Sequence, residues 1–398
     1  MKDFSLIAPF LDENGKLKSY PTKQKKKLVA LEYLATKLEA GRIYTEKEIN
    51  RIKIGEIMKT GFKQPAETLA KLKDLLKDTE KYSAAESAEY YGVVSTIYEA
   101  MGDAYQTMKN VQEAEKAFQE MVRKAVKLYE FDKEKHDFRL GAANYKLGLF
   151  YRSLIGCHTL LPKPRELNEA QKKVFEVAEK CFKNAIGYTM PNARKGSGRH
   201  VEFHSSCMEA LMILHSAVGN YETAVLFGKD SVNLSKAVYD KADDKVRGFR
   251  LANQMTALAG VYTFMKNPQL AMESLEDANF VLEAHQNDGD LKSGAMLARN
   301  YISLGSCYSA IEEEKENAEE AYKKGLELMV ALNDKSDNRM VNDVIQSYIF
   351  VGDYYQRADK MSDAKAHYTW AMKLASDMFR VTKQPRYEAI VKQLEARI

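Results

Sequence analysis

The sequence predicts an all-α protein, a solenoid of about six helical hairpins, and three observations predict it. The first is the stretch Val344–Ala375, in which two helical halves flank the polar break Ala358–Ser362. One half aligns Tyr348, Val351, Gly352 and Tyr355, and the other aligns Ala364, Tyr368 and Ala371, at spacings of three and four. Such a stripe, with small residues beside rings, lets two helices approach closely and leaves an apolar face that needs neighbours. The second is a small residue followed three places later by an aromatic: Gly102/Tyr105, Gly148/Tyr151, Ala259/Tyr262, Gly305/Tyr308 and Gly352/Tyr355, with Met212/His215 a degenerate pair. The third is the spacing of Ala114, Ala178, Ala224, Ala271, Ala318 and Ala364, which start the second-helix stripes at intervals of 64, 46, 47, 47 and 46.

In chain order, residues 1–60 read as a separate small helical module. A helix is expected from about Lys25 to Glu39 along Leu28, Leu31, Leu34 and Leu38, stopped by Gly41. Thr45–Glu48 forms a capping box, in which threonine and glutamate satisfy each other's exposed helix-start amides, so a second helix should run on through Ile49, Ile52 and Ile57. The basic run Lys23–Lys27 is a candidate phosphate contact, although a solvated helix start is the commoner role of so short a run. Phe10–Arg51 resembles a small bacterial domain of uncharacterised role often attached to winged-helix transcriptional regulators. The resemblance rests on the basic run after Pro21, on Gly41-Arg42-Ile43-Tyr44-Thr45-Glu46 and on Glu48-Ile49-Asn50. After Arg51 the chain departs from that family, lacking its Asp…Leu-Arg-Arg segment and final aromatic-rich strand.

Gly61–Gln64 is the expected boundary, with residues 61–398 forming the solenoid. Pro65 opens a helix along Leu69, Leu72 and Leu76, and Ser83–Glu86 is a second capping box that should start the first hairpin. The long interval exceeds the others by about 18, as does the step from Gly148 to Ala178, 30 residues instead of 12. Both place one insertion within 152–177, around Leu160–Pro164. Inter-hairpin connections echo one another at Phe131-Asp132-Lys133, Tyr239-Asp240-Lys241, Asn287-Asp288-Gly289 and Asn333-Asp334-Lys335. Arg386–Ile398 should cap the open end.

The small–aromatic, then Ala–aromatic–Ala pattern over Ser83–Leu374 resembles the tetratricopeptide repeat, with a period about 12 longer than the usual ~34. Six extra residues would lengthen each helix by about 9 Å, more like kinesin-light-chain repeats or bacterial Rap-type peptide receptors. The resemblance implies a right-handed superhelix whose first helices line a groove, with positions −6, −3, +1, +4 and +5 from each small residue facing inward. It projects inward Glu99, Asp103, Tyr145, Arg152, Glu209, Asn253, Thr256, Phe264, Arg299, Ser306, Gln346, Asp353 and Arg357. Amides, both charge signs and aromatics suit an extended peptide, whose backbone an amide can grip at N–H and C=O, although any one such residue is more often simply solvated. The Lys/Asn pattern of carboxylate-clamp repeats is absent, so a chaperone C-terminus is not the expected ligand.

Composition sets the remaining bounds. Lys+Arg 60 against Asp+Glu 56 gives +4, too balanced for a polyanion partner of the whole chain, although residues 1–60 carry +5. Four scattered cysteines fit reduced thiols in a cytoplasm, and no apolar run suggests a membrane span. His200, His204 and Cys207 share a helix face and could hold zinc, but HVEFH is not the metalloprotease pattern, and a buried cysteine beside a helix start is the commoner outcome. Trp370 is expected in the core, and Arg194–Arg199 as a connection. No phosphate loop, nucleophile elbow or dinucleotide fingerprint is present. The expected function is therefore non-catalytic, without cofactor: a scaffold holding a peptide or protein segment. A transcriptional or signalling regulator, with its N-terminal module on nucleic acid and a peptide-sensing solenoid, is the alternative.

Overall fold

A computed structural model describes residues 64–80, 86–157, 159–160, 163–285, 290–336 and 338–398. The expected N-terminal helices, the Lys23–Lys27 run, most of the Ser83 capping box and the Asn287–Gly289 connection lie outside the described residues. Among the described residues every regular element is a helix. They form two compact units: one runs up to Ile155 and takes in Lys173–Lys195, and the other comprises Gly156–Lys172 and Gly196–Ile398.

The first unit holds α1 (Pro65–Glu80), α2 (Ala88–Thr107), α3 (Val111–Phe131), α4 (Lys133–Leu154) and α5 (Glu169–Arg194) from Lys173 onward. The second holds α6 (Gly198–Ser216), α7 (Tyr221–Ala242), α8 (Lys245–Phe264), α9 (Pro268–Ala284), α10 (Leu291–Ala310), α11 (Lys315–Lys335), α12 (Val341–Arg357), α13 (Met361–Thr382) and α14 (Pro385–Glu395). α2 starts later than its predicted box. Ser87 is the cap, accepting from Tyr90 N–H, because Glu86 has φ +39° and breaks the helical run. At the end of the chain, α14 buries Tyr387 and Leu394 in one cluster with Tyr368, Ala371 and Ala375.

The hairpins are of the tetratricopeptide type, and size complementarity between the two helices makes them so. An ideal Cβ on Gly102 would lie 2.5 Å from Phe118, on Gly148 2.8 Å from Phe182, on Gly305 2.6 Å from Tyr322 and on Gly352 2.6 Å from Tyr368. In each pair the ring stands four residues after the stripe-starting alanine. The third hairpin inverts the pair: Met212 supplies the bulk, and a Cβ on Gly228 would lie 2.7 Å from its Sδ. The unit that looks degenerate in sequence still sets a small residue against a large one, as close packing requires.

Four hairpins turn through one device. Lys109, Gly219, Lys266 and Asp359 adopt left-handed backbone, and the next residue donates its N–H to the carbonyl of Tyr105, His215, Tyr262 and Tyr355 respectively, at 2.9–3.0 Å. This closure satisfies a helix-end carbonyl and reverses the chain within three or four residues. The recurring aromatic thus sits where the first helix must end. The insertion has two parts: the link Ile155–Asn168, and an early start to α5, nine residues before Ala178 where the other second helices begin three before their alanine.

Candidate functional site

Of the thirteen residues projected inward, none is buried: Arg299, Ser306, Gln346 and Arg357 are exposed and the rest half-buried. Glu99, Asp103, Tyr145 and Arg152 belong to the first unit and the other nine to the second. Five of them, Glu99, Asp103, Glu209, Thr256 and Arg299, meet a polar side chain of the next first helix, in a ladder that repeats at roughly the hairpin interval. In the first unit Arg139 donates to Glu99 at 2.7 Å, and Lys146 lies 2.8 Å from Asp103. Burial raises the Asp103 carboxyl above its ordinary pKa, and Lys146 opposes that rise. Tyr145 packs on Phe182, with ring centroids 5.7 Å apart.

In the second unit the ladder runs from α6 to α14. Asn253 Nδ2 donates to Glu209 (3.2 Å), Thr256 Oγ1 to Asn300 Oδ1 (3.2 Å) and Arg397 Nη1 to Asp353 (2.6 Å), while Arg299 Nε lies 3.5 Å from Asp343. Asp353 also accepts from Tyr368 OH at 2.7 Å, so its carboxylate is committed to structure. Ser306 shares a 2.7 Å hydrogen bond with Tyr322, and Phe264 packs against Tyr221. At successive seams Gln254 Oε1 and Asn300 Nδ2 lie buried without a protein partner.

What remains open is a pair of parallel stripes. On α10, Arg299, Ser303, Ser306 and Ala310 recur at spacings of four, three and four, and all are exposed. On α12, exposed Gln346, Phe350 and Arg357 repeat that spacing with the committed Asp353 between them, and Phe350 is 51 % exposed. Short side chains on one helix, with an exposed ring, an amide and two guanidinium groups among these positions, give the surface apolar and cationic character. Phe350 and Ser303 are absent from the sequence projection. The 4-3-4 recurrence through Gln346 and Arg357 would have found them. The corresponding residues of α8, Asn253, Ala257, Gly260 and Phe264, are all half-buried.

Two other expectations are corrected or narrowed. Trp370 is 52 % exposed, stacked on Tyr348 with Lys373 Nζ 5.0 Å from its ring, because it points away from the hairpin contact. His204 and Cys207 are buried while His200 bonds Ser197 Oγ through Nδ1 at 2.7 Å, and among the described residues no acidic, histidine and cysteine cluster could hold a metal. Burial pushes the Cys181 and Cys307 thiols up to about 11 and the Cys207 thiol further, which keeps them protonated and inert at neutral pH. Among the described residues no helix is long and apolar enough to cross a membrane.

Residues 16–57 match a family described as "Uncharacterized protein conserved in bacteria (DUF2087)". No curated protein matches the chain. Among solved structures the chain is similar to BtubC (BKLC) from P. vanneervenii, at 15% identity and a TM-score of 0.50 over 68% of this chain and 92% of that one. It is also similar to apo RapI (12% identity, TM-score 0.46, covering 84% and 100%) and to the apo form of the quorum sensor NprR from B. thuringiensis (14%, 0.43, 94% of each). At 15% identity the likeness to BtubC is one of fold alone.

Proposed function

We propose that the protein is a non-catalytic scaffold whose second unit holds an extended peptide or protein segment across the α10 and α12 stripes. The observation that carries this reading is the contrast along one face. Carboxylates there are taken up by the ladder, whereas Ser303, Phe350 and Arg357 stay exposed and Arg299 is held only at 3.5 Å by Asp343. Exposed aromatic and guanidinium groups beside short side chains are the composition of peptide hot spots, and the ladder keeps the helices beneath them fixed.

The test uses peptides selected from a random hexamer library on the intact protein, with affinity read by fluorescence anisotropy. Arg299→Ala with Phe350→Ala should weaken a selected peptide about tenfold or more, while the melting temperature stays within about a degree or two, as for surface changes. Selected peptides that bind the double variant as tightly as the native chain would overturn the assignment.

A further inference from the structure

The link between α4 and α5 has no counterpart in the other hairpins, and part of it packs against α8 and the end of α6. An ideal Cβ on Gly260 would lie 2.7 Å from Leu160 Cδ1, and one on Gly219 3.3 Å from Pro164 Cβ. Arg165 N–H donates at 2.8 Å to the carbonyl of Ala217, the residue that caps the end of α6. Leu160 packs against the core cluster that contains Leu258, Ala259 and Tyr262 of α8. Gly260 stands one place after the small residue of its hairpin, where α10 has Ser306 and α12 has Asp353. Those two side chains line the open stripes. On α8 that side chain is missing, and a residue from elsewhere in the chain fills its place.

From this seat we infer that the α8 stripe is a second docking surface, and that the link, through Leu160, Pro164 and Arg165, is its built-in occupant. The ligand chemistry follows from the contacts: a segment with an aliphatic side chain for Gly260, a proline four residues later against Gly219, and a following N–H for the Ala217 carbonyl. The aliphatic group is desolvated against Gly260, and the N–H satisfies a helix-end carbonyl, so apolar burial and hydrogen bonding act together. A tethered segment competes at an effective concentration of about millimolar, so a free segment of the same chemistry is excluded until the link lifts. The inference rests on the reading of the inner face as a peptide surface and adds that one part of that surface is occupied from within.

The probe is a fluorescein-labelled peptide with the sequence of residues 159–165, TLLPKPR. It is titrated into the native chain and into a chain in which those residues are replaced by Gly and Ser at equal length. Binding should be about tenfold or more tighter to the replaced chain, and Gly260→Leu in that chain should abolish it. A replaced chain that keeps the native melting transition yet binds no better than the native one, or is indifferent to Gly260→Leu, would overturn the inference. Should the replaced chain not fold, Leu160→Ser in the otherwise native chain gives a second readout at Cys157, which is fully buried. Its alkylation, followed at that residue by mass spectrometry, should accelerate about tenfold as seating weakens; an unchanged rate counts against the seat. Arg299-dependent binding of library peptides is measured separately, so its persistence alongside a failed probe would sink this inference alone.

Discussion

At Gly352 the backbone of α12 passes so close to Tyr368 that a methyl group would meet the ring at 2.6 Å. The ring cannot easily give way: it is fully buried, and its hydroxyl donates to Asp353 at 2.7 Å and lies 2.9 Å from the Gln356 side-chain amide. Gly352→Ala should therefore destabilise by about 1–3 kcal/mol, even after the roughly 1 kcal/mol that alanine gains over glycine in a helix. Adding Tyr368→Leu copies the Ala259/Leu275 pairing of the fourth hairpin and should recover part of the loss; urea unfolding of both variants checks it. The pairing was half legible, since small residues and rings are visible in sequence, but that Met212 answers Gly228 required knowing which faces meet. Trp370 was misjudged for a reason the repeats themselves contained. Its counterparts six residues after each stripe alanine are Glu120, Asn184, Asp230, Asp277 and Lys324, all polar. An outward position stays outward whatever residue fills it.

Between elements, the recurring tyrosine does more than end a helix. Tyr151, Tyr308 and Tyr355 each donate to a glutamate on the preceding second helix, Glu115, Glu276 and Glu319, at 2.8, 2.8 and 3.2 Å. The aromatic could be read from the sequence; its partner could not, because about 35 residues separate them and several glutamates compete at that distance. The same limit hid the polar ladder. Residues such as Glu99, Asp103, Glu209 and Asn253 could be picked out by position, but which carboxylate meets which amide or cation depends on how neighbouring helices stack. At Glu319 hydrogen bonds from Lys323 and Lys360 hold the carboxyl at about 2, well below its ordinary 4.5. A depressed folded pKa contributes stability above the ordinary value and loses it as pH falls from 4.5 towards 2. Glu319→Gln should thus cost about 1 kcal/mol at pH 6, given the partial exposure of the group, and little near pH 2.5. Denaturant midpoints of the two proteins that stay equally separated across that range would show that the ion pairs do not supply the difference.

For the whole molecule, the division into two compact units sets how a local defect spreads. Within the second unit hairpins cover one another's apolar faces, so stability there is approximately a sum of hairpin and nearest-neighbour terms rather than one global quantity. The clusters follow that rule: Tyr368, Ala371 and Tyr387 share a core with Ile302 and Tyr322 of the adjacent hairpin, and α8 and α9 share another with Leu304 and Cys307 of α10. Opening should accordingly be regional, with each unit a separate cooperative block. The Gly352→Ala variant tests this with amide hydrogen exchange. Protection should fall about tenfold for each 1.4 kcal/mol lost in α12, α13 and α14, less in α10 and α11, and not at all in α2, α3 and α4 of the other unit. An equal loss of protection in all of these helices would mean that the chain unfolds as one cooperative body. In that case the occupied α8 stripe and the open α10 and α12 stripes could not switch independently of the rest.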